Sequence, residues 1–138
     1  MKMNKHFFTG LCFLLMILSL SSCKKDSSLL NIDNLKSDKW KITYIKLNNT
    51  DVTSDYTSYE FKFKDTDVVT IYSASSSTVD GIYKVNTTVN PETVTFTIGS
   101  DASLMKLNNV WNVVEATATQ IKFQNKNNSN DVATFQKV

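Results

Sequence analysis

Tyr59-Glu60-Phe61-Lys62-Phe63-Lys64 alternates aromatic and charged residues without a break. That period of two restricts what this chain can fold into more than any other feature. It places Tyr59, Phe61 and Phe63 on one face of a strand and Glu60, Lys62 and Lys64 on the other, the signature of a half-buried strand. Thr93 to Ile98 repeats the pattern, with Val94, Phe96 and Ile98 facing one way and three threonines the other. Lys39 to Tyr44 sets Trp40, Ile42 and Tyr44 against Lys39, Lys41 and Thr43. Ile45 and Leu47 then follow with opposite parity, so a bulge near Tyr44, or burial on both faces there, is expected.

Five further segments read as strands: 67–74, 79–86, 110–116, 119–125 and 131–138. Between the strands lie Asp, Asn and Ser clusters, such as Lys64-Asp65-Thr66-Asp67, the serine run after Tyr72, and Asn125 to Asp131. These residues bond their own backbone and tolerate left-handed conformations, so they suit hairpin tips. Eight short strands with turns every eight to twelve residues imply an all-β antiparallel meander, closed as a barrel or folded as a sandwich. One stretch departs from this pattern. Ser100 or Asp101 is placed to cap a short helical turn through residues 102–107, before the β-branched Val110, Val113 and Val114 restore a strand.

The N-terminus has the zones of an export signal: Lys2 and Lys5, then an apolar run from Phe7 to Leu20, then the small Ser21 and Ser22. The run falls short of the ~20 residues a transmembrane helix needs. Leu20-Ser21-Ser22-Cys23 resembles the lipobox of bacterial lipoproteins: an aliphatic residue, two small ones and a cysteine. The resemblance implies thioether attachment of diacylglycerol to Cys23, cleavage before it, and acylation of the freed amine. An ordinary secreted protein with a free thiol is the alternative. Two or three acyl chains at ~0.8 kcal/mol per buried CH₂ would hold a protein stably on a membrane. The expected organisation is a signal peptide at 1–22, a lipidated cysteine and flexible tether at 23–34, and a barrel domain at 35–138. Lys24-Lys25-Asp26 supplies a single acid after the cysteine, so the face of the outer membrane is left open.

Composition excludes much. Loss of Lys2 and Lys5 with the leader removes the whole formal net charge of +2, and with it the electrostatic basis for binding nucleic acid. The only histidine, His6, and one of the two cysteines, Cys12, lie in the leader. The domain beyond it therefore lacks the parts for a Ser-His-Asp triad, a thiol nucleophile, a zinc site or a disulfide. No arginine occurs, and only Gly81 and Gly99 remain, which leaves no glycine-rich phosphate loop. No enzymatic activity and no cofactor are expected.

The order of landmarks then carries a second resemblance. Leu35, then Trp40-Lys41-Ile42, opens the domain, and Asp51-Val52-Thr53-Ser54 leads to Tyr59 through Phe63. Val69-Thr70-Ile71, Gly81-Ile82-Tyr83-Lys84-Val85, Trp111-Asn112-Val113 and Ile121-Lys122-Phe123 follow. This order is similar to the lipocalin-like domain of small Gram-negative bacterial lipoproteins. It implies an eight-stranded up-and-down barrel anchored at the cell envelope, with the outer membrane as the expected location.

Nearly all aromatics beyond the leader fall on expected inward positions: Trp40, Tyr44, Tyr59, Phe61, Phe63, Tyr83, Phe96, Trp111, Phe123 and Phe135. They would either line a pocket for a small apolar ligand or fill the core, because eight strands enclose just enough room for side chains or one small ligand. Glu115 shares the parity of Trp111 and Val113 and joins the interior candidates, unless it sits at a rim or beside a bulge at Val114. The oxygen-rich turns at 64–67 and 125–131 hold calcium-type ligands, but hairpin tips use the same residues and no metal site is expected. A second expected role is a protein-interaction or accessory module that works through its loops or outer surface.

Overall fold

The alternating segments become one continuous sheet. The computed structural model describes residues 28–138; the expected export leader, Cys23 and the first part of the expected tether lie outside the described residues. Nine strands form: β1 (Lys39–Leu47), β2 (Thr50–Asp51), β3 (Glu60–Phe63), β4 (Val68–Tyr72), β5 (Thr78–Asn86), β6 (Thr93–Ile98), β7 (Val110–Ala116), β8 (Gln120–Asn125) and β9 (Val132–Lys137). Each pairs antiparallel with its neighbours, and β1 also pairs with β9. β1 and β3 to β9 therefore close an eight-stranded up-and-down barrel, with β2 a short arm folded onto β1. Among the described residues no helix is long and apolar enough to cross a membrane.

The period-two faces sort as the alternation requires. Phe61 and Phe63 of β3 are buried between half-buried Glu60 and Lys62, and Ile121 and Phe123 of β8 are buried while Lys122 is exposed. Closure brings β5 and β6 tightly together at Gly81, which faces inward. A Cβ there would stand 2.8 Å from Ile98 Cγ1 and 3.1 Å from the carbonyl oxygen of Thr97. With glycine so scarce, the left-handed turn positions fall to Asn48, Asn49, Asp67 and Ser76, at φ of 50, 64, 59 and 62°, residue types that tolerate this region.

Two different devices shut the barrel's ends. One end is covered by α1 (Ile32–Ser37), which starts at the N-cap Asn31 and buries Leu35, with Leu30 buried just before it. The indole N–H of Trp40 donates to the carbonyl of Leu35 at 2.9 Å. Lys62 donates to the last carbonyls of the helix, Lys36 and Ser37, at 2.8 Å each. The expected flexible tether therefore does not extend through Asn34, because residues from Leu30 onward are folded against the barrel. At the opposite end a 3₁₀ turn (Thr53–Tyr56) buries Tyr56, and a second (Leu104–Leu107) buries both of its leucines. The tyrosine hydroxyl joins the two turns by donating to the Ser103 carbonyl at 2.7 Å. Asp101 caps the second turn by accepting the N–H groups of Ser103 and Leu104 at 2.9 and 3.0 Å.

Candidate functional site

Of the interior candidates, Trp40, Phe61, Phe63, Tyr83, Phe96, Trp111, Phe123 and Phe135 all point inward and are buried. They lie in contact with one another. Phe135 meets Phe61 at 5.1 Å between ring centroids, Phe123 at 5.4 Å and Phe96 at 6.3 Å; Phe63 meets Tyr83 at 5.0 Å. These separations fall within the range of direct aromatic packing, about 4.5–7 Å. The polar tips are satisfied as well. Tyr83 donates to the Lys64 carbonyl at 2.8 Å, and Trp111 to the Leu107 carbonyl at 2.9 Å. Among the described residues no buried side-chain nitrogen or oxygen lacks a partner. A pocket lined by such tips would need polar groups waiting for a ligand, and these are already used.

Three candidates sit elsewhere. Tyr59 is half-buried at the rim, donating to Asp101 Oδ2 at 2.8 Å. Tyr44, expected inward, is on the outer face and 39% exposed. The register of β1 against β9 slips between Ile42 and Tyr44, so Thr43 is the extra residue and the parity changes before Tyr44. Glu115 is also outside. A slip between Val113 and Glu115 leaves Val114 as the bulged residue, and Glu115 pairs with Lys122 of β8 at 2.8 Å. The oxygen-rich turn at 125–131 is internally committed. Asp131 Oδ1 accepts the Asn48 N–H at 2.7 Å and the Asn128 amide at 3.0 Å. Among the described residues no three His, Cys, Asp or Glu side chains converge as a metal site would.

Among the described residues, a cleft opens on the outer wall. β1 pairs with β3 only at Lys39↔Lys62 and Trp40↔Phe61 before the strands part, and the parting opens about 380 Å³ of space. Its floor is Glu60, whose two carboxylate oxygens take Lys39 Nζ at 2.9 Å and Lys41 Nζ at 3.3 Å. The hydrogen bonds from Lys39 and then Lys41 hold the Glu60 carboxyl below its ordinary range. Lys39 Nζ also stands 4.2 Å over the ring of Tyr72, and Thr57, Ser58 and Ser73 add hydroxyls to the walls. An ammonium offers three donors, so both lysines retain N–H groups for a guest beside an aromatic face. With one carboxylate, already paired, the cleft lacks the second acid that glycosidic hydrolysis requires.

Alternation marks Lys39, Lys41 and Glu60 as outward residues. It does not show that they meet one another and Tyr72, because that depends on the register of β1 with β3 and of β3 with β4. Tyr72 carries no periodic signal beyond the end of its strand.

No protein-family model matches the chain, and no curated protein matches it in sequence. Among solved structures it is similar to a protein of the DUF4847 family from Bacteroides vulgatus, at a TM-score of 0.53 and 12% identity. The match covers 77% of this chain and 96% of that one. The likeness is one of fold.

Proposed function

We propose that this protein is a non-enzymatic, lipid-anchored component of a bacterial cell envelope that works through its outer surface, with the cleft between β1, β3 and β4 as its recognition site. One observation carries the reading. The rings of Phe61, Phe96, Phe123 and Phe135 touch one another inside a barrel whose two ends are shut by α1 and by Tyr56 with Leu104 and Leu107. A small apolar ligand inside the barrel would have to part those rings, and each buried aromatic represents ~150–250 Å² of contact to give up. The anchor rests on Leu20-Ser21-Ser22-Cys23 at the end of the apolar leader, and attachment to the outer membrane follows from the resemblance to lipocalin-like domains of Gram-negative lipoproteins.

Purification of the native protein from membranes, followed by mass spectrometry of the polypeptide and of everything that co-elutes, tests the proposal. Acyl chains on Cys23 together with a reproducible protein partner are the expected result. A stoichiometric apolar small molecule would restore the interior-ligand reading and displace this one. An unmodified Cys23 would remove the anchor.

A further inference from the structure

Glu92 is a buried carboxylate between β5 and β6, and it spends both oxygens on the main chain of the segment that leads in from the N-terminus. Oε1 accepts the N–H of Leu29 at 2.8 Å and Oε2 the N–H of Leu30 at 2.9 Å. Leu30 is buried against the barrel and Leu29 beside it is 45% exposed. Two charge-assisted bonds on consecutive N–H groups set the place and direction in which the chain leaves the barrel. Other contacts fasten the segment that follows. The Asn34 amide donates to the carbonyls of Thr117 and Ala118, and Lys137 Nζ donates to Asn34 Oδ1 at 2.6 Å.

The span from Cys23 to Ser28 is five residue steps, which reach at most ~18 Å at about 3.3–3.6 Å per residue. An acyl anchor at Cys23 therefore leaves the barrel little freedom to turn over. β1 has nine residues, and at about 3.3 Å rise and 35–45° tilt the barrel stands ~20–25 Å tall. Its far end cannot reach the same surface unless the clamped segment comes loose.

The end that carries the clamp suits such a surface. Leu29, Val89 in the β5–β6 turn, and Val138 after β9 are all exposed apolar side chains at this end. Three of its lysines are paired within the described residues, while Lys64 in the β3–β4 turn is exposed. Lys62 is held on the α1 carbonyls, Lys36 pairs with Asp65 at 3.2 Å, and Lys137 pairs with Asp38 at 3.2 Å. A surface with apolar tips and mostly paired lysines fits the headgroup layer of a bilayer.

We infer that the α1 end of the barrel, with Leu29 and Val89 foremost, rests on the lipid surface and that Glu92 is the positioning residue that holds it there. The inference depends on the proposed acylation of Cys23. The outer cleft then opens sideways above the membrane, because Thr57, Ser58, Ser73 and Ala74 lie toward the opposite end.

The test uses the acylated full chain in phosphatidylcholine vesicles that contain a lipid-borne quencher, with single fluorophores at Val89→Cys or Met105→Cys. Met105 is exposed at the far end. At least threefold stronger quenching at position 89 than at 105, unchanged by added salt, is expected. Glu92→Gln, which offers a single acceptor oxygen, should reduce that contrast and speed amide exchange at Leu29 and Leu30 at least tenfold. If Glu92→Gln fails to fold, the contrast in the otherwise native protein still decides. Equal quenching at both positions, with Cys23 shown by mass to be acylated, overturns the orientation alone. An unmodified Cys23 overturns the orientation together with the anchor.

Discussion

The inside of this barrel and the wall between β1 and β4 use tyrosine in opposite ways. Tyr83 points into the interior, packs its ring on Phe63 at 5.0 Å and gives its hydroxyl to the Lys64 carbonyl. Tyr72 lies half-buried on the wall, with its ring face under the ammonium of Lys39. Every polar atom of the inner tyrosine is committed within the fold, whereas the outer one presents a face and a charge to whatever enters the cleft. A fully satisfied interior specifies a structure. An incompletely used surface can recognise something else, and that contrast favours the proposed recognition site on the wall.

Substitutions inside and outside should separate the two regions sharply. The largest effect belongs to Phe135→Ala, because this ring touches Phe61, Phe96 and Phe123. A loss of ~3–5 kcal/mol is expected from denaturant unfolding, as for other buried aromatics cut to alanine. A loss below ~1 kcal/mol would mean that the interior already holds a void. Gly81→Ala comes next, at ~1–3 kcal/mol, since the new methyl meets Ile98 Cγ1 at 2.8 Å.

Tyr56→Phe removes the hydroxyl that joins the two 3₁₀ turns and should cost ~1 kcal/mol. It also changes the alkaline limb of the stability curve. Burial pushes the Tyr56 phenol up to about 12, so the folded state holds that proton more tightly than the unfolded chain. Stability is therefore level below the ordinary tyrosine range near 10 and falls as pH rises towards 12. Tyr59 and Tyr83, also raised, contribute in the same direction, so unfolding curves of Tyr56→Phe should retain a smaller decline. The smallest stability effect belongs to Tyr72→Ala on the wall, within ~0.5 kcal/mol as for most surface sites. The same change should weaken capture of the envelope partner at least tenfold. A variant that unfolds readily, or one that binds as before, would blur the contrast between wall and core.

Much of the barrel was legible because alternation is a local property. Phe61 and Phe63, or Val94, Phe96 and Ile98, declare their face through their immediate neighbours. What escaped depends on contacts distant in the chain. The switch of parity after Ile42 is visible in the sequence, but whether Thr43 or Tyr44 is the extra residue is set by pairing with Phe135 and Thr134 of β9. Tyr56 stands in a polar run, Thr53-Ser54-Asp55-Tyr56-Thr57, with no period to mark it; Ser103, far along the chain, supplies the acceptor for its buried hydroxyl. Asn31 to Asn34 reads as polar tether by composition, yet Glu92 and the barrel's open end give Leu30 and Leu35 a place to bury.

Crystals of the protein held under xenon test the packed interior most directly, because xenon enters apolar cavities that water leaves empty. The account predicts no xenon among Phe61, Phe96, Phe123 and Phe135. An ordered xenon atom between those rings would contradict it and return the barrel to the class of internal ligand carriers.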